Sequence, residues 1–181
     1  ILGTRARKTR TKSFNAFSSI DYPETAMFRD RRLIQFLQRP ADYTHAVFST
    51  ALDPNVFVLR LVPGMRADII PMLEGRYRAL VLESFGVGGL PGGDDGAMFA
   101  AVRDWCGAGH LAVFTTQVPH EGSDLAVYEV GRAAKALPGV LEAHDMTPEA
   151  TAVKLMWVLG QTTDRAEAEK LFLTPVQWDI L

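Results

Sequence analysis

Residues 77–85 read YRALVLESF, a run in which apolar residues follow one another almost without interruption. Similar runs occur at residues 56–62 (VFVLRLV) and 111–116 (LAVFTT), and helix-like segments lie between them at residues 67–73 (ADIIPML) and 96–109 (GAMFAAVRDWCGAG). Nearly continuous apolar strands that alternate with helices are typical of a parallel sheet covered on both faces. The sequence therefore predicts an α/β domain over residues 53–181.

Two helices are predicted in the last part of this domain. Thr147 is a good N-cap residue and Pro148 fits the first helical position. A second helix is predicted to begin at Asp164, with Glu167 as its capping-box partner. Along the first helix, apolar or small residues recur at a three-and-four spacing, which predicts one buried face. That face consists of Val153, Met156, Trp157 and Gly160, and Gly160 is also expected to lie beyond the end of the first helix.

Composition narrows the function classes. The 181 residues are 48% hydrophobic and carry a formal net charge of −2, so nothing in the overall charge indicates nucleic-acid binding. A single cysteine, Cys106, excludes an internal disulfide framework and a cysteine-rich metal site, and it suits a reducing cytoplasm. The four histidines lack metal-ligand spacing, so we expect no metal. No apolar run approaches the roughly 20 residues of a membrane span.

The first part of the chain is organised differently. Residues 1–40 contain too little apolar material for a core of their own, and residues 39–42 (RPAD) are typical of a turn or linker. The chain opens on Ile1-Leu2-Gly3 as if within a strand. We therefore expect residues 1–40 to be a piece of another domain, and the sequence to be the C-terminal part of something longer.

Two loop motifs invite a functional interpretation. Residues 83–96 (ESFGVGGLPGGDDG) are rich in glycine, but Pro91 stands where a dinucleotide fingerprint needs glycine and a backbone N–H. Residues 119–124 (PHEGSD) place His120, Ser123 and Asp124 on one loop, whereas the members of a catalytic triad come from different elements. A loop at the end of a strand is the simpler interpretation of both, with a ligand-closing role left open for the first.

A basic run, GTRARKTRTK, occupies residues 3–12 with five cations and no acid. Charge runs usually lie on a solvated surface, so the run alone does not identify a catalytic cation.

Four blocks together resemble the homo-oligomeric L-asparaginase/glutaminase family, most closely its bacterial cytoplasmic-type branch. They are RARKTRTKSFNAFSSIDYP (5–23), VLESFGVGGLP (81–91), TTQVPHEGSDLAVYEVG (115–131) and LEAHDMTPEATAVKLMWVLG (141–160). The segment DMTPEAT followed by KLMW is the most specific of them. The resemblance implies that a larger N-terminal α/β domain carries two threonines, an Asp and a Lys of the active site. Residues 1–40 would be the end of that domain and the linker, and residues 53–181 would be the smaller C-terminal domain, with three layers and a parallel sheet.

The resemblance also implies roles for individual residues. It places Lys8 on the catalytic lysine beside the second threonine, and Arg5 on a recurrent position that positions the loop. Arg7, Arg10 and Lys12 are then expected to be solvated. Gly89 stands where many relatives have an asparagine that reaches the active site of the neighbouring protomer, and Glu129 falls on a position that contacts substrate across the dimer. Both are candidate substrate-binding residues, although a glycine offers no side chain for this contact.

The implied activity is hydrolysis of L-asparagine to L-aspartate and ammonia, without a cofactor, by a cytoplasmic homodimer or homotetramer that binds neither nucleic acid nor membrane. Two other functions stay open. One is a subunit of a glutamyl-tRNA(Gln) amidotransferase, which would carry an extra N-terminal module. The other is a non-catalytic ligand-sensing domain, whose upstream sequence would lack the threonine motifs.

We predict that residues 1–181 alone have no asparaginase activity, because the resemblance places the nucleophilic threonine upstream of Ile1. Loss of a nucleophile typically lowers turnover by several orders of magnitude. An ammonia-release assay on the purified chain checks this, and turnover comparable to that of an intact asparaginase would refute it.

Overall fold

The first part of the chain forms two small antiparallel ribbons. The computed structural model describes residues 5–19, 22–37, 47–91, 96–176 and 178–180, so the boundary predicted near residue 40 and the turn at 39–42 lie outside the described residues. Strand β1 (Ala6–Lys8) pairs with β2 (Phe17–Ser19), and β3 (Ala26–Arg29) pairs with β4 (Arg32–Gln35). Phe14, Phe28 and Leu33 are exposed, so these apolar side chains are not buried in a core of the ribbons.

The predicted parallel sheet is confirmed. Its four strands are β5 (Val56–Arg60), β6 (Ala79–Ser84), β7 (Leu111–Thr116) and β8 (Val140–Glu142), and they lie side by side in chain order. Every residue of β6 and β7 is buried. Because these two strands are central and covered on both faces, their sequences are nearly continuously apolar.

The sheet is the middle layer of three. Right-handed crossovers that advance in one direction place their connections on one face. That face carries two 3-10 turns (Ala67–Ile69 and Pro71–Leu73), α1 (Ala97–Gly107) and α2 (Glu129–Lys135). The opposite face is covered by α3 (Pro148–Gln161) and α4 (Arg165–Leu173).

The segment at residues 67–73 differs from the helix that the sequence suggested. It consists of two successive 3-10 turns in which Ile70 donates to Ala67 (3.1 Å) and Leu73 donates to Ile70 (3.0 Å). Pro71 has no N–H to donate and its ring disfavours an α-helical preceding turn, so the α-helical ladder cannot run through this segment.

Both predicted helix starts are confirmed. The Thr147 hydroxyl accepts a hydrogen bond from the N–H of Ala150 (3.2 Å), with Pro148 at the first position of α3. The Asp164 carboxylate accepts one from the N–H of Glu167 (2.8 Å) at the start of α4. Each side chain satisfies an N–H that has no partner inside its helix. The predicted capping box is only half formed, because the N–H of Asp164 donates to the Thr162 hydroxyl (3.0 Å) and not to the Glu167 side chain.

The prediction of which face of α3 is buried is wrong. Val153 is 60% exposed, and Met156, Trp157 and Gly160 are only partly buried. The residues that pack on the sheet occupy the neighbouring row, namely Thr151, Ala152, Leu155, Val158 and Leu159. This helix has apolar residues on more than one side, so the spacing alone could not identify the side that meets the sheet.

Gly160 also has a different role from the one predicted. It lies inside α3, which continues to Gln161, and a Cβ at this position would collide with the carbonyl oxygen of Ala51. The chain before β5 runs along α3 here, and the N–H of Asp53 donates to the carbonyl of Met156 (2.9 Å). Glycine therefore permits the close approach of two backbones.

We predict that Gly160→Ala destabilises the chain by about 1–3 kcal/mol, because the added methyl group forces α3 and residues 51–52 apart. The matched control is Gly107→Ala in α1, where a Cβ would meet nothing within 4 Å. This control gains helix propensity and should be neutral or slightly stabilising. Urea unfolding of both variants decides, and equal midpoints would contradict the close-approach explanation.

Candidate functional site

Three loops meet at the carboxyl edge of the sheet. They follow β6 (residues 85–91), β7 (117–128) and β8 (143–147). The N–H of Asp124 donates to the carbonyl of Val87 (2.7 Å), and the N–H of Ser123 donates to the carbonyl of His144 (2.8 Å). The carboxyl ends of parallel strands lie at one edge, which is where α/β proteins gather their ligand-binding loops. The candidate site is therefore placed at this edge.

The glycine-rich loop after β6 closes on itself. The N–H groups of Gly88 (3.1 Å) and Gly89 (2.7 Å) both donate to the carbonyl of Phe85, whose own N–H donates back to Gly89 (2.9 Å). Gly86 has φ +51° and accepts a hydrogen bond from the Thr116 hydroxyl. The N–H groups of Gly88 and Gly89 therefore donate within the loop and do not point toward a ligand.

Gly89 lies at this carboxyl edge in a tight position. A Cβ there would be 3.2 Å from the carbonyl oxygen of Phe85 and 3.3 Å from its Cβ, so a larger residue would require Phe85 to shift. Glu129 is the exposed first residue of α2, where a carboxylate suits the positive end of the helix dipole. Tyr128, its neighbour, reaches toward Gly86, because a Cβ at Gly86 would be 3.6 Å from the Tyr128 hydroxyl oxygen. The two predicted substrate-binding positions thus lie on adjacent segments.

The loop after β7 is fixed by a buried carboxylate. Glu142 is 5% exposed, and its Oε1 accepts the N–H of Leu125 at 2.5 Å. Its Oε2 pairs with the Lys135 ammonium at 2.7 Å. This hydrogen bond to Glu142 raises the pKa of Lys135. Glu142 therefore ties the loop to both β8 and α2, and the sequence contained no signal for this role.

The segment PHEGSD is a structural loop. The Ser123 hydroxyl is buried and donates to the carbonyl of Phe114 (3.3 Å). The Asp124 carboxylate accepts the N–H of Ala126 (2.9 Å), two residues further along the same loop. His120 is exposed. These side chains stabilise the loop itself and are not aligned as a triad.

Arg5 anchors the first ribbon to the α/β unit. Its side chain is fully buried, and its Nη1 lies 2.5 Å from Oδ2 of Asp145 and donates to the Asp145 carbonyl at 2.8 Å. Its Nε (3.3 Å) and Nη2 (3.2 Å) both donate to the carbonyl of Trp178. The guanidinium also lies 5.3 Å from the centre of the Tyr22 ring. Only an arginine offers donors in this forked arrangement.

Lys8 and the preceding residue, Arg7, point to opposite faces of β1. Arg7 pairs with Glu149 of α3 at 3.3 Å, with its side chain 23% exposed. Neighbouring residues of a strand point to opposite faces, so Lys8 points away from α3. Lys8 is exposed, and within the described residues its ammonium forms no ion pair. The expectation of a solvated Arg7 is wrong because Glu149 lies within reach, whereas Arg10 and Lys12 are exposed as predicted.

Sequence reasoning also missed Asp145, the acid that holds Arg5. It stands in the DMTPEAT segment, directly after β8 and before α3, so its position at the carboxyl edge was a usable signal. Its partner could not be read from the sequence, because Arg5 lies 140 residues earlier in the chain.

Three further features bear on function: the single cysteine, groups that could bind a metal, and helices that could span a membrane. Burial raises the pKa of the Cys106 thiol to about 12, so this residue is not a thiolate nucleophile near neutral pH. In the ranges that the structure describes, no group of three or more His, Cys, Asp or Glu residues is arranged to hold a metal ion. Among the same residues, no helix has both the length and the apolar character to cross a bilayer.

Comparisons with known proteins agree with this architecture. The family model of the glutaminase/asparaginase C-terminal domain matches residues 55–172. The L-asparaginase of Thermococcus kodakarensis is 39% identical over 172 residues, which are 94% of this chain and 51% of that protein. A glutamyl-tRNA(Gln) amidotransferase subunit from Metallosphaera sedula is 33% identical over 178 residues, which are 95% of this chain and 39% of that protein.

A solved structure extends the similarity to both parts of the chain. The thermostable L-asparaginase from Thermococcus kodakarensis superposes with a TM-score of 0.91 at 36% identity, covering 100% of this chain and 54% of that one. The chain thus spans about half the length of these asparaginases, 51% in sequence and 54% in structure.

We predict that Glu142→Ala lowers the free energy of unfolding by about 2 kcal/mol, because it leaves the Leu125 N–H without an acceptor. Glu142→Gln keeps an acceptor oxygen and should cost less. The control is Glu149→Ala, which removes an exposed partner of Arg7 and should cost at most about 1 kcal/mol. Denaturant unfolding measures all three, and a Glu142→Ala protein as stable as the control would show that this carboxylate does not hold the loop.

Proposed function

The chain belongs to the glutaminase/asparaginase family, and on this premise we propose that it is the C-terminal part of an amidohydrolase that converts L-asparagine to L-aspartate and ammonia. The observation that carries the proposal is the state of Lys8. It is the residue that the resemblance places on the catalytic lysine of the family, and its side chain is exposed on the face of β1 opposite the Arg7–Glu149 pair.

The proposed reaction proceeds through a threonine ester. The hydroxyl oxygen of a threonine in the preceding domain attacks the side-chain amide carbon, and the C–N bond breaks after the nitrogen gains a proton, so ammonia leaves. Water then attacks the ester, which releases aspartate and restores the hydroxyl. Lys8 serves the proton relay beside the second threonine of the family site. A lysine can exchange a proton when its surroundings lower its pKa, whereas arginine stays protonated.

The rest of the ribbon supports this assignment. Arg5 and Arg7 both hold β1 on the α/β unit, through Asp145 and Glu149. Lys8 points to the other face of β1. In the proposal, the domain that carries the threonines packs on that face and contacts Lys8. In the same proposal, the enzyme is a cytoplasmic homo-oligomer, and the Gly89 loop and Glu129 complete the site of the neighbouring protomer.

A second candidate is the ammonia-producing component of a glutamyl-tRNA(Gln) amidotransferase. It is favoured by the 33% identity to the Metallosphaera sedula amidotransferase subunit, which extends over 95% of this chain. Both candidates break a side-chain amide and release ammonia, so the residues of this chain would serve either. The residues that precede Ile1 distinguish them, because the amidotransferase component should carry an extra N-terminal module. An intact protein that hydrolyses free asparagine without RNA would favour the asparaginase.

We predict that Lys8→Arg in the intact enzyme lowers kcat by about 10²-fold or more and changes KM little, because the charge is kept and the proton transfer is lost. The controls are Lys12→Ala and Arg10→Ala, which remove exposed charges of the same run and should stay near wild type. Steady-state ammonia release from the three variants is the measurement. A fully active Lys8→Arg enzyme would remove Lys8 from the mechanism.

A further inference from the structure

A second buried ion pair lies next in sequence to Trp178, the residue whose carbonyl accepts hydrogen bonds from Arg5. Lys154 of α3 and Asp179 form an ion pair of 2.9 Å, with side chains only 5% and 6% exposed. Asp179 belongs to the segment that follows α4, described at residues 174–176 and 178–180 and called here the post-α4 segment. The residue before Asp179 is Trp178, whose carbonyl accepts two of the hydrogen bonds of Arg5.

Several contacts of the post-α4 segment involve this lysine and this aspartate. The Lys154 ammonium donates to the carbonyl of Thr174 (2.9 Å) as well as pairing with Asp179. The second Asp179 oxygen, Oδ1, accepts the N–H of Val176 (2.7 Å). Ile180 adds a buried apolar contact in the α3–α4 core. The segment has no helix or strand of its own in its described residues, so contacts of this kind hold it in place.

The backbone at Trp178 shows that this path is imposed. Trp178 has φ +67°, a left-handed conformation that costs free energy for a bulky residue and persists only when its surroundings enforce it. The next residue, Asp179, is held by its ion pair with Lys154, and this pair restrains the backbone directly after Trp178. The outcome is a carbonyl of Trp178 aimed at the Arg5 guanidinium.

Lys8 is three residues from Arg5, at most about 10 Å along an extended chain. The Trp178 carbonyl supplies two of the hydrogen bonds that hold the Arg5 guanidinium, and Asp145 supplies the others. If the post-α4 segment moves, Arg5 loses one side of its binding site and β1 can shift. Displacements of about 1 Å are enough to slow a positioned catalytic group strongly.

We propose that Lys154 and Asp179 are positioning residues for Lys8, acting through the Trp178 carbonyl and Arg5. The ion pair fixes the post-α4 segment, this segment fixes Arg5, and Arg5 fixes the strand that carries Lys8. The effect of this pair on catalysis by Lys8 rests on the proposed function. The restraint of β1 by Asp179, called here the mechanical link, does not.

Hydrogen exchange on the chain of 181 residues tests the mechanical link. Asp179→Asn should keep an acceptor for Val176 and lose the ion pair, and we expect exchange in β1 and β2 to accelerate by about 10-fold while the central strand β6 keeps its protection. Arg5→Lys keeps the charge, leaves the α/β core untouched and should accelerate the same ribbon. The control is Lys170→Ala, which removes an exposed ion pair of α4 with Glu167. Unchanged exchange of β1 in Asp179→Asn would overturn the proposal, even if Arg5→Lys accelerates it.

A double-mutant cycle in the intact enzyme tests the catalytic consequence. We expect Arg5→Lys and Asp179→Asn each to lower kcat by about 10-fold or more with KM within a few-fold, and Asp179→Asn to add little once Arg5 is lysine, because both changes break one path. Additive effects, or normal kcat in variants with accelerated β1 exchange, would reduce the pair to a purely structural role. An intact wild-type protein that released no ammonia from asparagine would instead refute the proposed function, and the exchange experiment would still decide the link.

Discussion

The two central strands, β6 and β7, are buried on both faces along their whole length. A strand in that position can satisfy its backbone only through its two neighbours, and it needs a layer of side chains above and another below. The crossovers provide one layer, and α3 with α4 provides the other. The same arrangement brings the loops after β6, β7 and β8 to one edge. The geometry of the candidate site therefore follows from the way in which the sheet is buried.

Buried charges then decide how the peripheral segments lie on this unit. Glu142 holds the loop after β7, Asp145 and the Trp178 carbonyl hold Arg5, and Asp179 holds Lys154. Removing a charge from water is costly unless partners of good geometry surround it. Such a pair adds little net stability, but it penalises every arrangement that separates the partners. In this chain that penalty acts on the ribbon that carries Lys8.

The proposed amide hydrolysis divides its chemistry between two parts of an enzyme. The threonine ester would form in the preceding domain, and this chain would contribute a cation and the surface that positions it. The similarity to an asparaginase and to an amidotransferase subunit is consistent with that division, because both relatives match this chain over nearly its whole length, 94% and 95%. The difference in function between an asparaginase and an amidotransferase component would then depend on the parts of those proteins outside the region that matches this chain.

The sequence by itself determined the features that depend on neighbouring residues. The three long strands follow from continuous apolar runs, and the starts of α3 and α4 follow from Thr147 and Asp164, whose side chains bond to an N–H three residues away. The family resemblance, which depends on motifs, was equally accessible. The tertiary structure alone decided which row of α3 is buried, why Gly160 is a glycine, and which cations of the basic run have partners. Those outcomes depend on segments that are distant in sequence, such as Ala51 against Gly160 and Trp178 against Arg5, 173 residues apart. Local periodicity carries no information about which distant backbone or carboxylate will lie within a few ångströms, because the packing of the whole sheet sets that distance.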